Sequence, residues 1–197
     1  LVVGLMSVVK NRACNIIATI FVDVIRGVPM IVLAFYVFFA VPMLLNNIMH
    51  LNTMLGINTQ LTLTALQAGT ICLALNCGAY MAEIIRAGIE SVDKGQMEAA
   101  RSLGLNYTQA TWRVILPQTI KNVFPSLGNE LIVLLKETSI SGYIALQDLT
   151  KAGDIVRSRT YLPFFPYISV AAIYLVLVLI LEKILGNIEG RMAASDR

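Results

Sequence analysis

Four stretches of this chain are long and apolar enough to cross a lipid bilayer, and that limits its fold more than any other feature. Residues 28–45 and 163–181 hold no charge; residues 60–82 hold none either but include Gln60, Gln67 and Asn76; residues 119–135 carry Lys121 and Glu130. A bilayer core about 30 Å thick needs roughly 17–25 helical residues, because no water is present there to satisfy an open backbone. Charged residues are 14% of the chain and hydrophobic ones 57%, against about 25% charged in soluble domains. The expected fold class is an all-α integral membrane protein.

The opening run LVVGLMSVV places nine uncharged residues ahead of Lys10. At about 1.5 Å per residue it covers less than half of a bilayer core. It reads as the end of a first span that begins ahead of residue 1. No basic region precedes it and no cleavage pattern follows, so it does not read as a signal peptide. The expectation is one transmembrane domain over 1–197 with five spans, at 1–9, 28–45, 60–82, 119–136 and 163–185. A loop at 83–118 and another at 137–162 join the later spans.

Orientation follows from Lys and Arg, which favour the cytoplasmic side. With the 83–118 loop inside, the cytoplasm holds eleven: Lys10, Arg12, Arg26, Arg86, Lys94, Arg101, Arg113, Lys121, Lys183, Arg191 and Arg197. The outside holds four, Lys136, Lys151, Arg157 and Arg159, and the 46–59 loop holds none. The C-terminus then lies in the cytoplasm. This bias accounts for the net charge of +3 without a nucleic-acid partner. Cys14, Cys72 and Cys77 are odd in number and read as small core residues. His50, the single histidine, sits in an outer loop and cannot build a metal site alone.

Within this greasy chain, EAARSLGLNYTQATWRVILP (98–117) is a polar interruption. Ala99 and Ala100 favour a helix and add little bulk, so another backbone can approach closely. Leu103 and Tyr107, four apart, form a short apolar stripe. Gly104 lets the chain turn or be closely approached. Glu98 suits a first helical turn and can meet a cation on a partner. Pro117 is expected to stop this helix and start the next span. A membrane-surface helix would instead carry bulky residues on one face and Lys on the other. The pattern is that of a small knob offered to a partner's socket.

The spacing E-A-A-x3-G-x9-I-x-L-P, with Val114 for the Ile, matches at six of seven positions. It resembles the cytoplasmic EAA loop of ABC importer permeases, the membrane subunits that dock on a separate ATPase. RGVPMIVLAFYVFFAVP (26–42) is similar to the Arg-Gly-Thr-Pro segment of permeases for polar amino acids, departing at Val28 and Leu33. YMAEIIRAGIESVDKGQ (80–96) and NELIVLLKETSI (129–140) resemble the runs that enter the loop and leave the fourth span. The resemblance covers residues 4–189 and implies ATPase coupling through Glu98, Ala99, Ala100, Leu103, Gly104 and Tyr107. It also implies an ATPase dimer, a second permease copy or homologue, an external solute-binding protein, a polar or basic amino acid as cargo, and a bacterial cytoplasmic membrane. No G-x-x-x-x-G-K-[ST] motif occurs in the chain. ATP and Mg are therefore expected on the partner ATPase, with no cofactor here and no enzymatic activity.

Ionisable residues inside a span mark a pathway or a buried partner. Glu130, about ten residues into its span, is one such group, with Asn129 beside it and Gly128 allowing close approach; Asn76 is a further polar candidate. The opposing reading is that Glu130 accepts hydrogen bonds from a neighbouring helix. Glu83, Arg86 and Glu90 share one helix face and are expected to form an ion-pair ladder. Other classes fit less well. A secondary transporter would show inverted repeats and broken helices, although Pro125 is a candidate kink. An intramembrane enzyme built on Ser139, Ser141 and Glu137 lacks a base. An ABC permease for methionine, glycine betaine or another small solute is the nearest alternative.

Overall fold

The computed structural model describes residues 2–8, 11–47 and 61–194, and every regular element among them is helical. Lys10, His50, Gln60, Arg197 and most of the 46–59 loop lie outside the described residues. The helices are α1 Val2–Val8, α2 Arg12–Gly27, α3 Met30–Asn47 and α4 Ala65–Glu90, followed by the short α5 Lys94–Ser102. Next comes α6 at 107–137, built from Tyr107–Ala110, a π-helical turn Thr111–Ile115 and Leu116–Glu137. A 3-10 turn Thr138–Ile144 leads to α7 Leu149–Thr160 and α8 Phe164–Ala194. Among the described residues three helices, Met30–Asn47, Ala65–Glu90 and Phe164–Met192, are long and apolar enough to cross a membrane. The fourth apolar stretch forms most of α6, where Lys121, Asn122, Asn129, Glu130 and Lys136 lower its apolarity.

Local chemistry sets where these helices begin. Thr64 caps α4: its hydroxyl accepts the Gln67 N–H at 3.2 Å and the Gln67 side chain accepts the Thr64 N–H at 3.0 Å. That reciprocal box places the start at Ala65, inside the 60–82 stretch, and the helix then continues through Arg86 to Glu90. Asp93 and Asp148 cap α5 and α7 without the reciprocal bond, accepting from Gly95 N–H at 2.6 Å and Lys151 N–H at 2.7 Å.

Two of the prolines inside helices sit just past a widened turn. Pro42 and Pro117 each follow a π-helical turn, Tyr36–Ala40 and Thr111–Ile115, in which Val41 N–H reaches Tyr36 O and Leu116 N–H reaches Thr111 O. A proline lacks the N–H and crowds the carbonyl four residues back. The wider turn just ahead of it relieves that conflict. The expectation that Pro117 stops the cytoplasmic helix is thus corrected: α6 runs through it without interruption.

Contacts divide the chain into two units. One holds the described residues of Leu1–Val24, Gly78–Ile132 and Val178–Arg197; the other holds Ile25–Cys77 and Val133–Leu177. The second is built around Leu33, Ala34 and Val37 of α3, Ala68 and Cys72 of α4, and Ile144 of the 3-10 turn. There Asn46 clamps Leu61, donating to its carbonyl at 2.8 Å and accepting its N–H at 2.9 Å. The first unit buries small side chains, Ala18 on α2, Ala79 and Ala82 on α4, Ala100 and Ala110, together with Val123 and Ile132 of α6.

Candidate functional site

The polar interruption forms a helix–turn–helix in the first unit. Its helix starts at Lys94, four residues ahead of Glu98, so the expectation of Glu98 in a first turn is corrected; Asp93 supplies the cap instead. At its other end Gly104 N–H bonds Arg101 O at 3.0 Å and Leu105 N–H bonds Ala100 O at 3.2 Å. This crossed pair is a Schellman ending, which needs a left-handed residue at Gly104; its φ is +89°. Nothing stands within 4 Å of where a Cβ would sit, so the glycine serves the turn and not a close approach.

The chain re-enters a helix at once. Asn106 accepts from Gln109 N–H at 2.8 Å, and the Gln109 side chain accepts from Asn106 N–H at 3.1 Å. With both helix ends closed, the side chains between them point outward. Leu103 is 84% exposed, Tyr107 and Trp112 67% each. Glu98 and Ala99 are exposed as well, whereas Ala100 is turned into the chain's own packing at 4%.

Polar bonds hold the base of this structure. Gln118 donates to Gln96 Oε1 at 3.2 Å, and Asn122 donates to Ser91 Oγ at 2.9 Å while that hydroxyl donates to Gly88 O at 2.8 Å. Gly88 lies against Val123 of α6, where a Cβ would overlap the valine side chain. The sequence reading missed Ser91, Gln96, Gln118 and Asn122, because residues 22 and 31 apart leave no periodic signal. Arg86 meets Glu83 at 3.3 Å and Glu90 at 3.9 Å, the ladder expected from their spacing. All three side chains are over a third exposed, so each pair contributes only about 0–1 kcal/mol.

The polar span residues fall in both units. Glu130 is buried and Asn129 exposed on α6 in the first unit. Gly128 beside them admits Leu185 of α8, whose side chain would stand 3.3 Å from a Cβ. Asn76, buried on α4, belongs to the second unit and donates to Glu137 Oε2 at 2.7 Å. Among the described residues no group of three or more His, Cys, Asp or Glu could hold a metal ion.

Residues 1–194 match the family described as binding-protein-dependent transport system inner membrane component. The "Probable glutamine ABC transporter permease protein GlnM" of Bacillus subtilis is 40% identical over 193 residues, 98% of this chain and 82% of the relative. The "Glutamine transport system permease protein GlnP" of Escherichia coli K12 is 32% identical over 196 residues, 98% of this chain and 84% of the relative. A crystal structure of an amino acid ABC transporter with histidines superposes with a TM-score of 0.82 at 42% identity. It covers 96% of this chain, and 81% of that chain is matched.

Proposed function

The chain belongs to the family of binding-protein-dependent transport system inner membrane components, and from that premise we propose that it is the permease subunit of an ATP-driven importer of polar amino acids. The glutamine permeases at 40% and 32% identity make glutamine the first cargo to test. A separate ATPase dimer binds on the cytoplasmic side, a second permease half completes the passage, and an external binding protein delivers the amino acid. The excess of basic residues, eleven against four, supports a cytoplasmic 83–118 loop.

One observation carries the coupling role: Leu103, 84% exposed, stands at the apex of a turn whose two helices are both capped. A large apolar side chain held rigidly in water suits insertion into a partner's pocket. Tyr107 and Trp112 extend that face, and Glu98 adds charge beside it. ATP binding draws the two docked turns together and the passage alternates between its inward and outward states. Moving such an equilibrium from 1:99 to 99:1 takes about 5.5 kcal/mol of differential stabilisation, which only a firmly seated contact can transmit. Glu130 and Asn129 of α6 are the candidates for a polar lining in the first unit, and Asn76 of α4 is a separate candidate in the second.

Reconstitution of the full-length chain with its ATPase and binding protein in liposomes tests this. Glu98→Ala and Gly104→Asp are expected to cut ATP-driven glutamine uptake at least tenfold, on the order of 1.4 kcal/mol or more of lost coupling, with the helices still folded by circular dichroism. Normal uptake in both variants would remove the docking assignment. In the same liposomes, Glu130→Gln is expected to change the preference among glutamine, histidine and arginine. Unchanged preference takes Glu130 off the passage.

A further inference from the structure

A cavity of about 390 Å³ opens among the 3-10 turn, α7 and the start of α8, within the size range of small-ligand sites. Ser139, Tyr143, Thr150, Lys151, Asp154 and Tyr167 line it, all in the second unit and well separated in sequence from the 98–107 segment. The two oxygens of Asp154 are used unequally. Oδ1 accepts Arg157 Nη2 at 2.7 Å, Arg157 Nε at 2.9 Å and the Tyr167 hydroxyl at 3.3 Å. Oδ2 meets Lys151 Nζ at 3.4 Å, past the usual length of a charged hydrogen bond. Two cations thus share one carboxylate, and the looser pair faces the cavity.

That arrangement suits a ligand carrying both charges. A carboxylate entering the cavity takes the Lys151 ammonium, while Asp148, which caps α7 beside Lys151, supplies the second negative charge of the wall. An ammonium on the same molecule takes Oδ2, in a cavity that Tyr143 and Tyr167 also line. One long contact is exchanged for two charge-assisted ones, and Arg157 keeps its hold on Oδ1. A lone anion would capture half of this and leave Oδ2 without a cation. We propose that the cavity between the 3-10 turn and α7 is an outer acceptor site for a zwitterionic α-amino acid, receiving cargo before it enters the passage. The site rests on the import reading above and on its outward orientation of residues 137–162.

The test uses the full-length chain with its ATPase in nanodiscs, without the binding protein, and reads contact with glutamine, histidine and arginine in turn by saturation-transfer NMR. Wild type is expected to give a saturable signal. Lys151→Gln is expected to raise the midpoint about tenfold, as the loss of one charged hydrogen-bond partner does, and Lys151→Arg to restore most of it. N-acetylglutamine and glutaminamide, each lacking one charge, are expected to compete about tenfold less well than glutamine. An unchanged midpoint in Lys151→Gln overturns the site. Inorganic phosphate competing as well as glutamine also overturns it, since the cavity would then be a plain anion site. Amino-acid uptake is followed in parallel in sealed liposomes that hold the full-length chain, its ATPase and the binding protein: uptake intact alongside an unchanged midpoint removes the acceptor site alone, whereas no uptake by wild type removes the import reading with it.

Discussion

Gly88 and Gly104 are both glycines for a reason, and the reasons are opposite. At Gly104 the surroundings are open and the backbone is left-handed, so any side chain fits in space but strains the chain. At Gly88 the side chain of Val123 occupies the place a Cβ would take, and α4 meets α6 closely there. Overpacking of this sort costs about 1–3 kcal/mol. Gly88→Ala is therefore expected to lower the thermal midpoint of the purified protein. Adding Val123→Ala should recover part of the loss, because the second change vacates the space the first one claims. A Gly88→Ala midpoint equal to wild type would contradict the close approach of the two helices.

At the scale of elements, the long apolar runs and the polar interruption were legible because each is a local pattern. The hydrophobic lengths place α3, α4 and α8, and Gly104 in its spacing foretells a turn. What escaped depended on neighbours. Thr64 and Gln67 form a cap inside an uncharged run, so composition did not mark the boundary they set. Pro117 reads as a stop unless a π-helical turn relieves the carbonyl behind it, as it does here. The bond from Asn76 to Glu137 joins residues 61 apart, beyond any helical period. Helix α7 lies in what reads as an outer loop, although Asp148 is a visible cap. Its side chains tie it to α8 through Asp154, whose carboxyl is held below the usual carboxylate range chiefly by the Arg157 hydrogen bond and then by Lys151. A lowered folded pKa means the contribution is complete above the unfolded value of about 3.9 and is lost as pH falls through the folded value. Hydrogen-exchange protection of 149–160 should thus stay level from pH 8 to pH 5 and fall below pH ~4. Asp154→Asn should flatten that dependence. A loss of protection already at pH 6 would assign the helix's stability to other groups.

For the molecule as a whole, orientation decides whether the exposed turn can meet an ATPase at all. The basic residues divide eleven to four across the expected spans, an excess of seven. Near an anionic leaflet each contributes about 1 kcal/mol, so the preference is spread over many side chains and no single one governs it. Two consequences can be measured in a background with Cys14, Cys72 and Cys77 replaced by Ala. Thr108→Cys, on the exposed turn, should react with a membrane-impermeant maleimide only in inside-out vesicles, and Ser158→Cys, on α7, only in right-side-out ones. Adding Arg113→Gln should leave both patterns unchanged, since six of the seven excess charges remain. Labelling of Thr108→Cys from the outside would place Leu103 and Tyr107 on the wrong side for ATP-driven coupling. It would also move the Lys151–Asp154 cavity to the cytoplasm, where delivery by an external binding protein could not reach it.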